Sequence, residues 1–201
     1  MFSATRFVRA LSFVCLALWL ASCSVVGGGK ELTTYDLSAP ASFDNLRGRS
    51  NAQLLISVPT ALKSLDSEMI VVRPDNAEIT YFGDAQWSDS LPNVLQDKLI
   101  QTFENSGRMR SVVKPGDGVV VDYKLATSIR SFELNDANRP VAKIALSVKI
   151  INDRNGRVVS SRLFKASAPA GSATPAKGVA ALDSALESVL NEILVWTLKT
   201  I

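Results

Sequence analysis

The stretch "VAKIALSVKIINDRNGRVVSSRLFKASA" (Val141–Ala168) decides the fold. Ile144, Leu146, Val148 and Ile150 recur at every second position, which describes a strand with one face turned into a core. Asn155-Gly156 then supplies the residues that favour a two-residue hairpin turn, so the chain reverses into a second strand from Arg157 onward. Upstream, Val119–Leu134 alternates through Val121, Tyr123, Leu125, Thr127 and Ile129. Its phase slips towards Phe132 and Leu134, as a bulge would cause. The middle segment therefore pairs with both neighbours in an antiparallel meander.

Helices flank this meander in the sequence. Leu91, Leu95, Leu99 and Phe103 repeat every four residues with Ile100 beside them, forming one apolar stripe. Ser88, Asp89 and Ser90 are candidate caps, Pro92 fits the first turn, and Gly107 lies past the end. A second helix runs from about Ala176 to Lys199, with Thr174 placed to cap it and Pro175 in its first turn. Leu182, Ala185, Leu186, Val189, Leu190, Ile193 and Leu194 form its apolar stripe. Nearer the N-terminus, "TTYDL" and "LLISVP" are short β-rich runs, and "MIVVRP" and "EITYF" flank Asp75-Asn76 as an irregular hairpin. The pattern predicts a two-layer α/β fold: a mixed, mostly antiparallel sheet with two amphipathic helices packed on one face.

The N-terminus reads as a targeting segment. Arg6 and Arg9 precede an apolar run from Ala10 to Ala21, the positive start and short greasy centre of a secretory signal. The uncharged stretch extends to Gly29, but its last third is Ser, Val and three glycines, a poor end for a membrane span. Leu20-Ala21-Ser22-Cys23 resembles the lipobox of bacterial lipoproteins. That resemblance implies S-diacylglycerol and N-acyl modification of Cys23 after cleavage, giving three acyl chains and an essentially permanent anchor. Ser24, where an Asp would favour inner-membrane retention, leans towards the outer membrane. The expected organisation is a signal peptide over 1–22, a lipidated tether over 23–31 whose glycines allow flexibility, and a single domain over 32–201.

Removing Arg6 and Arg9 from the 22 basic residues leaves 20 against 19 acidic ones, so the mature chain is nearly neutral. No basic run or interleaved aromatic platform suggests nucleic-acid binding. Cys15 leaves with the signal and Cys23 carries lipid, so no thiol is left for a disulfide, a metal or nucleophilic attack. The chain has no histidine, the commonest general base and zinc ligand.

Fragments that mimic active-site motifs lack their companions. Ser111-Val-Val-Lys114 matches S-x-x-K without an S-D-N or a K-T-G, and reads as a short edge strand. Asp153–Gly156 lacks the other ligands of a calcium loop and reads as a hairpin. Gly27–Gly29 has no G-x-x-x-x-G-K-[ST] context, so nucleotide hydrolysis belongs to another chain. Asp117 and Asp122 near a Gly-rich turn read as solvated charge, and carboxylates set for glycoside cleavage cannot be read from spacing. A binding or scaffolding module, without catalysis, metal or cofactor, is expected.

Tyr81, Phe82 and Trp87 lie in what reads as the loop before the first helix, at a spacing that cannot turn all three rings into one core. They are the candidate partner or acyl-chain contacts, weighed against a loop plug over the sheet edge. Trp196 divides equally between core and interface packing.

The lipobox, "YDLSAP", "SEMIVVRPDNAEITYFGDAQWSDSLPNVLQDKLIQTFENSGRMRSVV", "VDYKLATSIRSFEL" and the closing "AALDSALESVLNEILVW" together resemble the ABC-type transport auxiliary lipoprotein family. The resemblance covers nearly all of the mature chain, and Tyr-Phe-Gly-x-x-x-Trp is its most specific part. It implies a non-catalytic, lipid-anchored periplasmic accessory of an MCE-type (mammalian cell entry) ABC transport system. The chain would dock the membrane-bridging MCE protein at the outer membrane for phospholipid transport, alongside a permease and an ATPase. The alternative is an envelope lipoprotein that activates or positions a cell-wall enzyme. Homo-oligomerisation, including a ring around a tubular partner, is left open by the residues.

Overall fold

The computed structural model describes residues 32–43, 46–75, 77–136 and 139–201. The signal peptide, Cys23 and the tether lie outside them. Leu32–Ile201 forms one compact unit.

The element order is β1 (Thr33–Tyr35), β2 (Ser50–Ile56), β3 (Met69–Arg73), β4 (Thr80–Trp87), α1 (Leu91–Ser106), β5 (Met109–Val113), β6 (Tyr123–Asn135), β7 (Val141–Asn152), β8 (Val158–Pro169) and α2 (Pro175–Thr200). The meander is present: β6 pairs antiparallel with β7, and β7 with β8. Its hairpin turn uses Gly156 at φ 68°, a left-handed conformation that glycine adopts at no steric cost. The phase slip in β6 is a register shift between Ile129 and Ser131. Arg130 is the extra residue, and because of it Phe132 and Leu134 return to the buried face.

One expectation is corrected. The sheet is mixed, but of its seven strand pairings four are parallel, β1 with β4, β2 with β5, β2 with β6 and β3 with β6. Antiparallel order holds along the long meander ladders and between β3 and β4. The reason is topological: parallel neighbours are joined by long crossovers, which leave no turn signature for the sequence to display. Nor is the sheet a single row. One edge of β6 is covered by β7, while the other is shared, β2 pairing at Tyr123–Leu125 and β3 at Leu134–Asn135. Thr60 bridges the gap between them, its N–H donating to the Thr127 carbonyl at 2.9 Å and its carbonyl accepting from the Ile129 N–H at 2.8 Å. The sheet forks at β6.

Both helices start at the expected prolines and α1 stops at Gly107, but neither Ser90 nor Thr174 closes its helix with a side-chain cap hydrogen bond. Ser90 precedes α1, Pro92 lies in its first turn, and Gly107 at φ 59° donates its N–H to the Glu104 carbonyl at 3.0 Å. Thr174 precedes α2, which opens on Pro175. Leu91, Leu95, Leu99 and Phe103 of α1 and the whole predicted stripe of α2 are buried. They share one core with Leu125, Phe132, Ile144, Leu146, Val148 and Ile150 of the meander. Side chains alternate across a strand, so among the described residues the opposite face of β6–β8 has no helix over it.

Candidate functional site

That uncovered face is built by register. On β7, Lys143, Ala145, Ser147 and Lys149 point away from the core. Their β6 partners are Glu133, Ser131, Ser128 and Ala126, and their β8 partners are Ser167, Lys165, Leu163 and Ser161. Small side chains make the floor and longer ones rise around it. The result is an open depression of about 910 Å³ lined by Arg130, Ser131, Lys143, Ala145, Ser147, Leu163 and Lys165, among others. Two smaller depressions adjoin it and share Arg130; Val58 lines one and Leu62 the other. Among the described residues no carboxylate lines any of the three.

Charge is distributed unevenly over this face. Glu133 is nearly buried and receives Arg73 at 2.6 Å, and Lys124 sits 3.5 Å from Asp153. Arg130, Lys143, Lys149 and Lys165, by contrast, are exposed and form no ion pair among the described residues. Four cations thus surround a floor of Ala and Ser. The sequence carries this arrangement only as scattered single charges, because three strands must be placed in register before they converge.

Other polar clusters hold the fold together. Lys98, buried on α1, places Nζ 2.9 Å from Asp36 and 3.2 Å from Asp97. Burial opposes the ionisation of Asp36, but the hydrogen bond and charge of Lys98 hold its carboxyl below the usual range. Asp122 accepts the Gln53 N–H at 3.0 Å and lies 3.1 Å from Arg154. That backbone hydrogen bond, with Arg154 adding to it, lowers its pKa and fastens the start of β6 to β2.

The structure places the predicted site residues on named elements. Tyr81, Phe82 and Trp87 belong to strand β4, which corrects their assignment to a loop. The run continues as a strand because Tyr81 pairs with Val71 and Trp87 with Tyr35 of the short β1, a parallel contact that local sequence does not announce. Trp87 is 1% exposed, with its ring edge-on to Phe132 at 5.9 Å, so it is a core residue. Tyr81 and Phe82 are half-buried and pack against the same core. Phe82 also lies against Gly178 of α2. Trp196 packs edge-on to Phe164 at 5.4 Å, and the Arg162 guanidinium sits 4.9 Å from the Phe164 ring.

Ser111 lies on β5, an edge strand paired with β2, and the Lys114 N–H donates to Asp117 at 2.9 Å in the turn that follows. Asp153–Gly156 is the β7–β8 hairpin. Among the described residues no three acidic, cysteine or histidine side chains gather to hold a metal ion, and no helix is long and apolar enough to cross a membrane.

The sequence profile for ABC-type transport auxiliary lipoprotein components matches residues 35–194, from the end of β1 to the penultimate turns of α2. The chain belongs to that family. It is similar to the protein bll6063 of Bradyrhizobium diazoefficiens, 33% identical over 181 residues, which cover 88% of this chain and 48% of that protein. The chain therefore spans about half the length of this curated relative. The crystal structure of XCC0632 from Xanthomonas campestris is similar at a TM-score of 0.79 and 33% identity, over 84% of this chain and 95% of that one. CT253 of Chlamydia trachomatis, at a TM-score of 0.53 and 10% identity over 75% of this chain and 97% of that one, shares the fold alone. The family description is of an auxiliary lipoprotein component of ABC-type transport.

Proposed function

We propose that this chain is a non-catalytic accessory of an MCE-type ABC transport system, tied to the outer membrane through acylated Cys23 and facing the periplasm. There it docks the membrane-bridging MCE protein and assists phospholipid movement driven by a separate permease and ATPase. The observation that carries the reading is the family match across 35–194, nearly the whole described domain. The lipobox before Cys23 and the absence of histidine and of any free thiol in the mature chain add to it. Tyr81 and Phe82, half-buried on β4 between β1 and β3, are the aromatics proposed to meet the partner.

Affinity capture of the tagged, lipidated chain from detergent-solubilised membranes tests the reading. Co-recovery of an MCE-domain protein with its permease and ATPase is the expected result. Recovery of a cell-wall synthase instead, with no transporter subunit, would overturn it.

A further inference from the structure

The outer face of β6–β8 gathers four exposed cations. Arg130, Lys143 and Lys165 line one depression and Lys149 the adjoining one that shares Arg130, with no carboxylate lining either among the described residues, in a mature chain whose basic and acidic residues nearly balance. Glu133, across from Lys143, is engaged by Arg73, so the exposed cations here repel one another and an external anion would relieve that repulsion. An acidic protein and an anionic bilayer both carry such charge, and the composition of the face decides between them. Protein interfaces enrich aromatic residues and deplete lysine. This face carries three lysines and one arginine over a floor of Ala and Ser, with no aromatic side chain lining it. Lysine-rich patches free of aromatics match the headgroup layer of an anionic bilayer, where each basic residue strengthens attachment. Leu163 at 48% exposure, Val58 at 45% and Leu62 at 76% stand beside the cations and supply apolar contacts at the interface.

We infer that the outer face of the β6–β7–β8 meander is a docking surface for a bilayer rich in anionic phospholipid, with Arg130, Lys143, Lys149 and Lys165 lying over the phosphates. The inference rests on the chain's own charges and goes beyond the transporter reading, so failure of the capture experiment would leave it standing. It is tested on residues 24–201, which contain the whole core and lack the acyl anchor, by co-sedimentation with vesicles. The expected result is binding to vesicles of phosphatidylglycerol and phosphatidylcholine, little binding to phosphatidylcholine alone, and loss of binding in high salt.

Each basic residue near such a surface is worth roughly fivefold in partition. Reversing Arg130, Lys143, Lys149 and Lys165 to Glu together should therefore weaken binding more than about a hundredfold. Neutralising the three lysines to Gln should give an intermediate loss. Reversing Arg110 on β5 and Lys177 on α2, which line none of these depressions, should leave most binding intact. Unaltered circular dichroism melting shows that the exposed variants are folded. Equal binding to neutral vesicles would overturn the inference. So would binding that survives reversal of the face, or an equal loss from reversal of the distant cations. Absence of binding to either vesicle would also overturn it, in favour of an acidic protein counterpart.

Discussion

Trp87 ends β4 with its indole edge-on to Phe132 and 1% of its surface exposed. Replacing it by alanine removes that packing and leaves a cavity, for which large aromatic truncations cost about 3–5 kcal/mol. Trp87→Ala should therefore lower the stability measured in urea titrations by an amount of that size. An unchanged midpoint would contradict the core assignment. A binding defect in this variant would first report damage to the fold. The aromatic residue types were legible in the sequence, but their environment was not. Three rings at irregular spacing read as a loop because the strand partner that organises them, β1, is only three residues long. Lys98 is a parallel case. It sits on the buried side of α1 as a charged residue, and only the positions of Asp36, 62 residues away, and its neighbour Asp97 explain how it is tolerated there.

Elements with local rules were legible and those with remote partners less so. Prolines, Gly107 and the apolar spacing defined α1 and α2, while alternation, a phase slip and Asn155-Gly156 defined β6–β8 with its bulge. Strand direction in the parallel pairings, and the fork at β6, depend on crossovers through the intervening elements. How α2 seats on the sheet is likewise a matter of close approach. A Cβ at Gly178 would lie 3.1 Å from Cδ2 of Leu134 and 3.3 Å from Cε2 of Phe82. Overpacking such a contact costs about 1–3 kcal/mol. That exceeds the roughly 0.8 kcal/mol that replacing a helical glycine returns in propensity. Gly178→Leu should thus be destabilised, with a lower melting temperature by circular dichroism. A higher one would show that the helix can move aside.

At the scale of the whole molecule, the domain offers two unlike surfaces: a sheet face packed by helices and an opposite face ringed with cations. The second was hidden in the sequence because near-neutral net charge conceals segregation, and segregation exists only after folding. The proposed role depends on where the domain is held: an anchor at Cys23 confines it to one membrane and presents it to a transporter. Acylation of Cys23 is therefore the step on which that role stands. Intact-mass spectrometry of protein purified from its native membranes reads it without an intermediary. The expected mass is that of a chain beginning at Cys23 and carrying one diacylglyceryl and one N-acyl group. A chain that retains Met1–Ser22 and bears a free Cys23 thiol would contradict it.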